Sequence, residues 1–233
     1  MSIKKLAIIT ARGGSKRIPR KNIKLFNGQP ILKYSIDAAL QSGIYDEVMV
    51  STDDNEIAEL ATKFGAKVPF LRSLENSDDY STTADVIKEV IFKYKELGIT
   101  FDYFTCIYPT APFVNAKKLI EAMNILILEG ADCVLPVVKY SYPIQRSLII
   151  ENGKAKMLWP ENYLARSQDL QPVYHDCGQF YCMNTNSLID QMKLFANNTI
   201  PIIISELEVQ DIDNEEDWKI AEIKYQQLQA SYK

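Results

Sequence analysis

The chain has 233 residues, 47% of them hydrophobic and 24% charged, with a formal net charge of −4. That size and balance suit one α/β domain with a buried core and a small appended lobe. The acidic balance, with a pI near 5.2, excludes a protein that coats nucleic acid, so positive charge here is local and faces a small anion.

Apolar "KLAIIT" (5–10) predicts a strand. It is too short to span a membrane, and no small-residue cleavage site follows it, so the expectation is a soluble, cytoplasmic protein. "PILKYSIDAALQSG" predicts a helix with Pro30 early and Gly43 at its end. "DEVMVST" reads as a strand, "DNEIAELATKFG" as a helix ended by Gly65, and "KVPF" (67–70) as a short strand. "TADVIKEVIFKYKELG" carries apolar residues at helical spacing, namely Val86, Ile87, Val90, Ile91 and Tyr94. "YFTCIY", "AKKLIEAMNILILEG" and "DCVLPVV" follow as strand, helix and strand.

Such alternation predicts a doubly wound, mostly parallel sheet of Rossmann-like type, with its ligand crevice beyond the carboxyl ends of the strands. From 139 to 173 the helical period disappears. "SLIIENG" and "KAKMLWP" predict a hairpin turning at Asn152–Gly153. The expected division is therefore a nucleotide-binding domain of residues 1–138 and 174–233 with a small lobe, 139–173, inserted. "GQFYCMN" and "IPIII" resume strand patterning, and "EEDWKIAEIKYQQLQ" closes the chain as a helix. The four cysteines form no CxxC pair. Cys106 and Cys133 lie in apolar strand-like runs, where buried free thiols are the default.

Three stretches carry chemistry. "ARGGSKRIPRKN" (11–22) holds five bases and no acid at the exit of the first strand. Gly13 and Gly14 would let a phosphate approach backbone N–H groups, Ser15 adds a hydroxyl, and Arg12, Lys16 and Lys21 can neutralise a triphosphate. The stretch is neither G-x-x-x-x-G-K-[ST] nor G-x-G-x-x-G, which excludes a P-loop and a dinucleotide fingerprint. Its bland alternative is a solvated basic turn. In "VQDIDNEEDW", Asp211 and Asp213 point to one side of an extended segment and suit Mg2+, whereas Asn214 and the acids 215–217 suit a helix start. "RSQDLQPVYHDCGQFY" (166–181) holds the only histidine, His175, beside Asp176. That pair is open to acid–base work or to no function, and adjacent strand residues face opposite ways. A zinc site from His175 and Cys177 lacks a further ligand set.

"ARGGSKRIPRKN", "VSTDD", Arg72 with "SDDYSTTADV", "PTAPF" and "VQDID" occur in that order. Together, from Lys4 to about Tyr225, they resemble the CMP-sialic acid synthetase (acylneuraminate cytidylyltransferase) family. The resemblance implies CTP and a nonulosonic acid as substrates, Mg2+ as cofactor, and a homodimer in which the small lobe contacts the partner. Arg12, Gly13, Gly14, Ser15, Lys16 and Lys21 would bind the phosphates; Asn22 and Arg72 the cytosine; Ser81 and Thr83 the nucleoside. Asp211 and Asp213 would hold the metal. Tyr108, Arg166, His175, Gln179 and Tyr181 would meet the sugar. Arg12, Lys16, Lys21 and Asp211 would carry the chemistry. Where the family commonly reads "QPTSPLR", this chain reads "YPTAPFV". Its "RSQDL.P.YHD.GQFY" wording is similar to the branch that activates pseudaminic acid, with legionaminate, N-acetylneuraminate and 3-deoxy-manno-octulosonate as alternatives.

Overall fold

The computed structural model describes residues 3–78 and 80–231. In chain order the elements are β1 (Lys5–Thr10), β2 (Leu25–Phe26), β3 (Gln29–Pro30), α1 (Ile31–Ser42), β4 (Glu47–Ser51) and α2 (Asn55–Lys63). Then come α3 (Thr83–Glu96), β5 (Tyr103–Ile107), α4 (Ala116–Leu128), β6 (Cys133–Lys139), β7 (Leu148–Glu151) and β8 (Lys154–Met157). Finally β9 (Tyr174–Asp176), β10 (Phe180–Asn184), α5 (Thr185–Gln191), β11 (Thr199–Ile203) and α6 (Glu215–Ser231) complete the chain.

The main sheet runs β11-β6-β10-β5-β1-β4, and β9 also pairs with β6. β4, β1 and β5 are mutually parallel, as are β6 and β11. β10 runs antiparallel between β5 and β6. Burial on both faces explains the near-continuous apolar strands. One face packs Leu32, Ile36, Ile57 and Leu119 from α1, α2 and α4. The other packs Ile87, Val90 and Tyr94 from α3 and Leu188 from α5. The sheet is thus covered on both sides, as the doubly wound reading requires. A third cluster, with Phe26, Phe113, Ile212 and Trp218, fastens α6 to the small β2–β3 hairpin.

Local chemistry sets the ends of the helices. Asp54 caps α2 by accepting from Ile57 N–H at 3.0 Å. Thr82 and Asp85 form a reciprocal capping box at α3. The predicted hairpin is present as β7–β8, and its turn residues Asn152 and Gly153 have φ of 52° and 74°. All four cysteines are buried and free.

"KVPF" corrects the sequence reading. Only Lys67 pairs, in an isolated bridge to Met49, because Pro69 has no N–H to continue a ladder. The short elements α5, β9 and the β2–β3 pair were not anticipated, being too brief to show a period.

Candidate active site

The basic loop leaves β1 at the sheet's carboxyl edge, and Ala11 N–H still bonds to Ser51 O at 2.9 Å. Its backbone is tied down from inside the protein. Gly13 N–H donates to Asp53 Oδ1 at 2.9 Å, and Ser15 N–H turns back to Gly13 O at 3.0 Å. A Cβ on Gly13 would sit 2.7 Å from Asp54 Oδ2. Glycine at position 13 thus admits the Asp54 side chain, and the Gly13 and Ser15 N–H groups bond within the protein. Beside Gly14 there is open space.

The bases divide by function. Arg20, in a left-handed conformation with φ of 53°, forms ion pairs to Asp54 and Glu56 at the start of α2. Arg17 pairs with Asp213 at 2.7 Å. Lys21 donates to Ile212 O at 2.8 Å. Burial lowers the Lys21 ammonium, against the pull of Asp213 and Asp211. Arg12 donates to Asp78 O at 2.8 Å, and Asn22 Nδ2 holds Arg12 O at 2.8 Å. Arg12, Ser15, Lys16, Lys21 and Asn22 line one cavity of about 400 Å³, walled opposite by Tyr108 and Thr110.

A second cavity, of about 240 Å³, shares Thr10, Arg12 and Tyr108 with the first. Arg72, Ser81 and Thr83 line it. Arg72 is buried, and its guanidinium is oriented by Ser51 Oγ at 3.0 Å and Ser51 O at 2.6 Å. Ser81 Oγ donates to Asp78, and Thr83 Oγ1 lies 3.3 Å from Tyr108 OH. The predicted nucleotide residues other than the two glycines therefore converge on two joined cavities.

Asp211 lines a third cavity, of about 320 Å³, with His175, Lys139 and Lys224. Burial and the charge of Asp213 both raise the Asp211 carboxyl. The helix-start reading of the next acids holds. Asn214 Oδ1 accepts from Glu216 and Asp217 N–H, while Asp217 accepts from Asp213 and Asn214 N–H. Among the described residues no group of three or more His, Cys, Asp or Glu side chains forms that could hold a metal ion.

The sugar-facing expectations divide. Tyr108 and Tyr181 pack edge to face with centroids 5.9 Å apart, and Tyr181 OH donates to Asp176. His175 packs against Tyr140 with ring centroids 4.7 Å apart and planes tilted by 52°, and its Nδ1 lies 2.9 Å from the Asp176 backbone carbonyl. The Asp176 carboxylate turns instead to Tyr181 and Gly178, so the acid–base pairing of 175 with 176 is not formed. Gln179 is 2% exposed, and its Nε2 donates to Glu208 O at 2.6 Å; it is a tie inside the fold, not a cavity wall. Arg166 pairs with Asp169 at 2.7 Å in the inserted segment and lines none of these cavities. Sequence reasoning missed Lys118, whose place in an amphipathic helix looked ordinary although its side chain is buried. A larger cavity, about 550 Å³, lies between α1, α4 and α6 and contains none of the loop's bases.

Comparison with known proteins shows the family and the fold. The cytidylyltransferase family profile matches residues 6–206. A pseudaminic acid cytidylyltransferase of Campylobacter jejuni is 40% identical over 96% of this chain and 97% of its own. A CMP-N,N'-diacetyllegionaminic acid synthase of Legionella pneumophila is 32% identical, over 93% and 94%. In three dimensions the chain is similar to a CMP:2-keto-3-deoxy-manno-octonic acid synthetase solved with CTP, with a TM-score of 0.69. That match has 17% identity and covers 97% of this chain and 99% of that one. It supports the Rossmann-like nucleotidyltransferase fold. With a family match spanning most of its length and full-length relatives of this kind, the chain belongs to the cytidylyltransferase family.

Proposed function

We propose that this enzyme transfers CMP from CTP to the anomeric hydroxyl of a nonulosonic acid, pseudaminic acid in the first place, and releases pyrophosphate. The observation that carries this reading is that Lys21 lines the basic cavity of about 400 Å³ with Arg12, Ser15 and Lys16 and at the same time donates to Ile212 O, between Asp211 and Asp213. The 40% identity to the Campylobacter jejuni enzyme supports the choice of sugar.

In this reading the triphosphate lies along Arg12, Ser15, Lys16 and Lys21, and the nucleoside occupies the cavity of Arg72, Ser81 and Thr83. Asn22 acts on the base side by fixing Arg12 O. The sugar enters beside Asp211 and His175, with Tyr108 and Tyr181 behind it. Asp211 and Asp213 fit Mg2+ by chemistry: two hard carboxylates that repel each other, with remaining positions left to phosphate oxygens and water. When bound, Mg2+ would reduce charge at the α-phosphate and acidify the attacking hydroxyl. The chain's own part is positioning and charge. Lys21 steadies the acidic segment while facing the phosphates, and Arg12 and Lys16 balance the charge that builds on the leaving pyrophosphate.

The inserted segment exposes Leu148, Ile150, Tyr163 and Leu164. Such an apolar surface supports a homodimer, and a partner's lobe is then the route by which Arg166 reaches a sugar carboxylate. Among the described residues no helix is long and apolar enough to cross a membrane, which is consistent with work in the cytoplasm.

The test is Mg2+-dependent pyrophosphate release from CTP with a panel of pseudaminic, N,N'-diacetyllegionaminic, N-acetylneuraminic and 3-deoxy-manno-octulosonic acids. Pseudaminic acid should give the highest kcat/KM. A higher value for another acid reassigns the sugar, and no release with any of them overturns the reading.

A further inference from the structure

The segment that delivers Asp211 and Asp213 is not a strand. Between β11 and α6 it runs as a single 3-10 turn, Glu206–Glu208, followed by irregular backbone. Backbone of this kind has carbonyls without ladder partners, and something must hold them. Here side chains from separate elements do so. Lys224 Nζ, from α6, donates to Val209 O at 2.7 Å and Glu206 O at 3.2 Å. Gln179 Nε2, from the break between β9 and β10, donates to Glu208 O at 2.6 Å. The Glu208 side chain is gripped by Lys118, whose Nζ lies 2.9 Å from Oε1.

Lys118 is the unusual member. It sits in the first turn of α4, on the face that carries Leu119 and Ala122 into the core, and is 8% exposed. A buried ammonium costs desolvation that a single ion pair often fails to recover, so apolar packing would serve stability at least as well. Gln179 carries a similar cost, since its buried Oε1 has no hydrogen-bond partner among the described residues. Both residues accept an unfavourable burial, and both place it on Glu208, three positions before Asp211.

We propose that Lys118 and Gln179 are positioning residues for the metal-holding aspartates. Together they clamp Glu208 from its side chain and its carbonyl, and so fix the register of the Asp211–Asp213 segment against α4 and the sheet. Lys118 also reaches toward Phe113 O at 3.5 Å, in the loop that continues from Thr110 at the nucleotide cavity. The clamp thereby sets the aspartates relative to the wall on which the triphosphate lies. Supports of this kind, one layer behind the ligands, govern how well a metal is held. The inference rests on the reading of Asp211 and Asp213 as the metal pair.

The experiment uses full-length Lys118→Met, which keeps length and removes charge, and Glu208→Gln, which keeps shape and removes the ion pair. Mn2+ binding to the CTP-loaded protein is followed by loss of the free-ion electron paramagnetic resonance signal. CTP binding in EDTA and the melting temperature are measured alongside. Each variant should bind Mn2+ about tenfold more weakly, with CTP binding in EDTA within about twofold of wild type. Unchanged Mn2+ affinity with only a lowered melting temperature overturns the clamp as a positioning device. If Lys118→Met does not fold, Glu208→Gln decides by the same readout. Asp211→Asn separates the two levels. If it retains full Mn2+ binding, the aspartate reading itself fails; if it loses binding while both clamp variants keep it, only the present inference fails.

Discussion

Lys21 Nζ lies 2.8 Å from the backbone carbonyl of Ile212, joining positions 191 residues apart. Burial lowers the lysine's ammonium, against the pull of the two aspartates that flank Ile212. One contact closes the cleft between the start and the end of the chain. Lys21→Ala should therefore reduce pyrophosphate release by at least about 100-fold, the scale of losing a fixed cation opposite developing charge. Asp211→Ala should do likewise. Circular dichroism should show both folded, and wild-type-like turnover in either would remove its assigned role.

Gly13 offers a sharper structural test. A methyl there meets Asp54 Oδ2 at 2.7 Å, and Asp54 is also the cap of α2 and the partner of Arg20. Gly13→Ala should lower stability by about 1–3 kcal/mol through overpacking and raise the KM for CTP. Gly14→Ala, with open space beside it, should leave stability nearly unchanged. Equal melting temperatures for the two variants would contradict this account of the loop.

Glu89 predicts a pH dependence. Burial would raise its carboxyl, but bonds from Lys93, Asn76 and Ser73 outweigh burial and hold it at about 2. A depressed carboxyl stabilises the fold above its unfolded value, and that stability fades as pH falls from about 4.5 toward about 2. Glu89→Gln should cost about 2 kcal/mol at pH 7 and flatten the acid limb of a stability–pH curve. Because Asn76 bonds to Glu89 and lines the cavity of Arg72, Ser81 and Thr83 proposed for the nucleoside, the same variant should raise the KM for CTP. A curve as steep as that of wild type would count against the network.

His175 shares a cavity with Asp211 but makes no hydrogen bond to a carboxylate among the described residues. His175→Ala should raise the KM for the acid sugar by about tenfold, the scale of one lost hydrogen bond to a charged group, with kcat largely kept. A large fall in kcat at constant KM would instead place the imidazole in the chemistry.

Much of this was legible because periodicity is local. The α1, α3 and α4 patterns, the Asn214 helix start and the Asn152–Gly153 turn all follow from neighbours in sequence. What was not legible depends on distant residues. Nothing near Gly13 announces Asp54, and nothing near Gln179 announces Glu208. Nothing local marks Lys118 as buried, because its partner Glu208 is 90 residues away, and nothing but its neighbour Asp169 fixes Arg166 in this fold. Charge composition singled out the basic loop but could not say which of its bases line a cavity and which, like Arg20, are paired within the protein.

The inserted segment leaves the sheet after Lys139 and returns at Tyr174, and these two residues are paired across β6 and β9. Tyr140 N–H also bonds to Val173 O at 3.0 Å. Its two ends therefore meet at a hydrogen-bonded neck, like the stem of a loop. An excursion closed at its base can lengthen, shorten or change its surface without altering strand register in the domain below. The sheet domain and the inserted segment are in this sense mechanically separate parts, free to diversify at different rates.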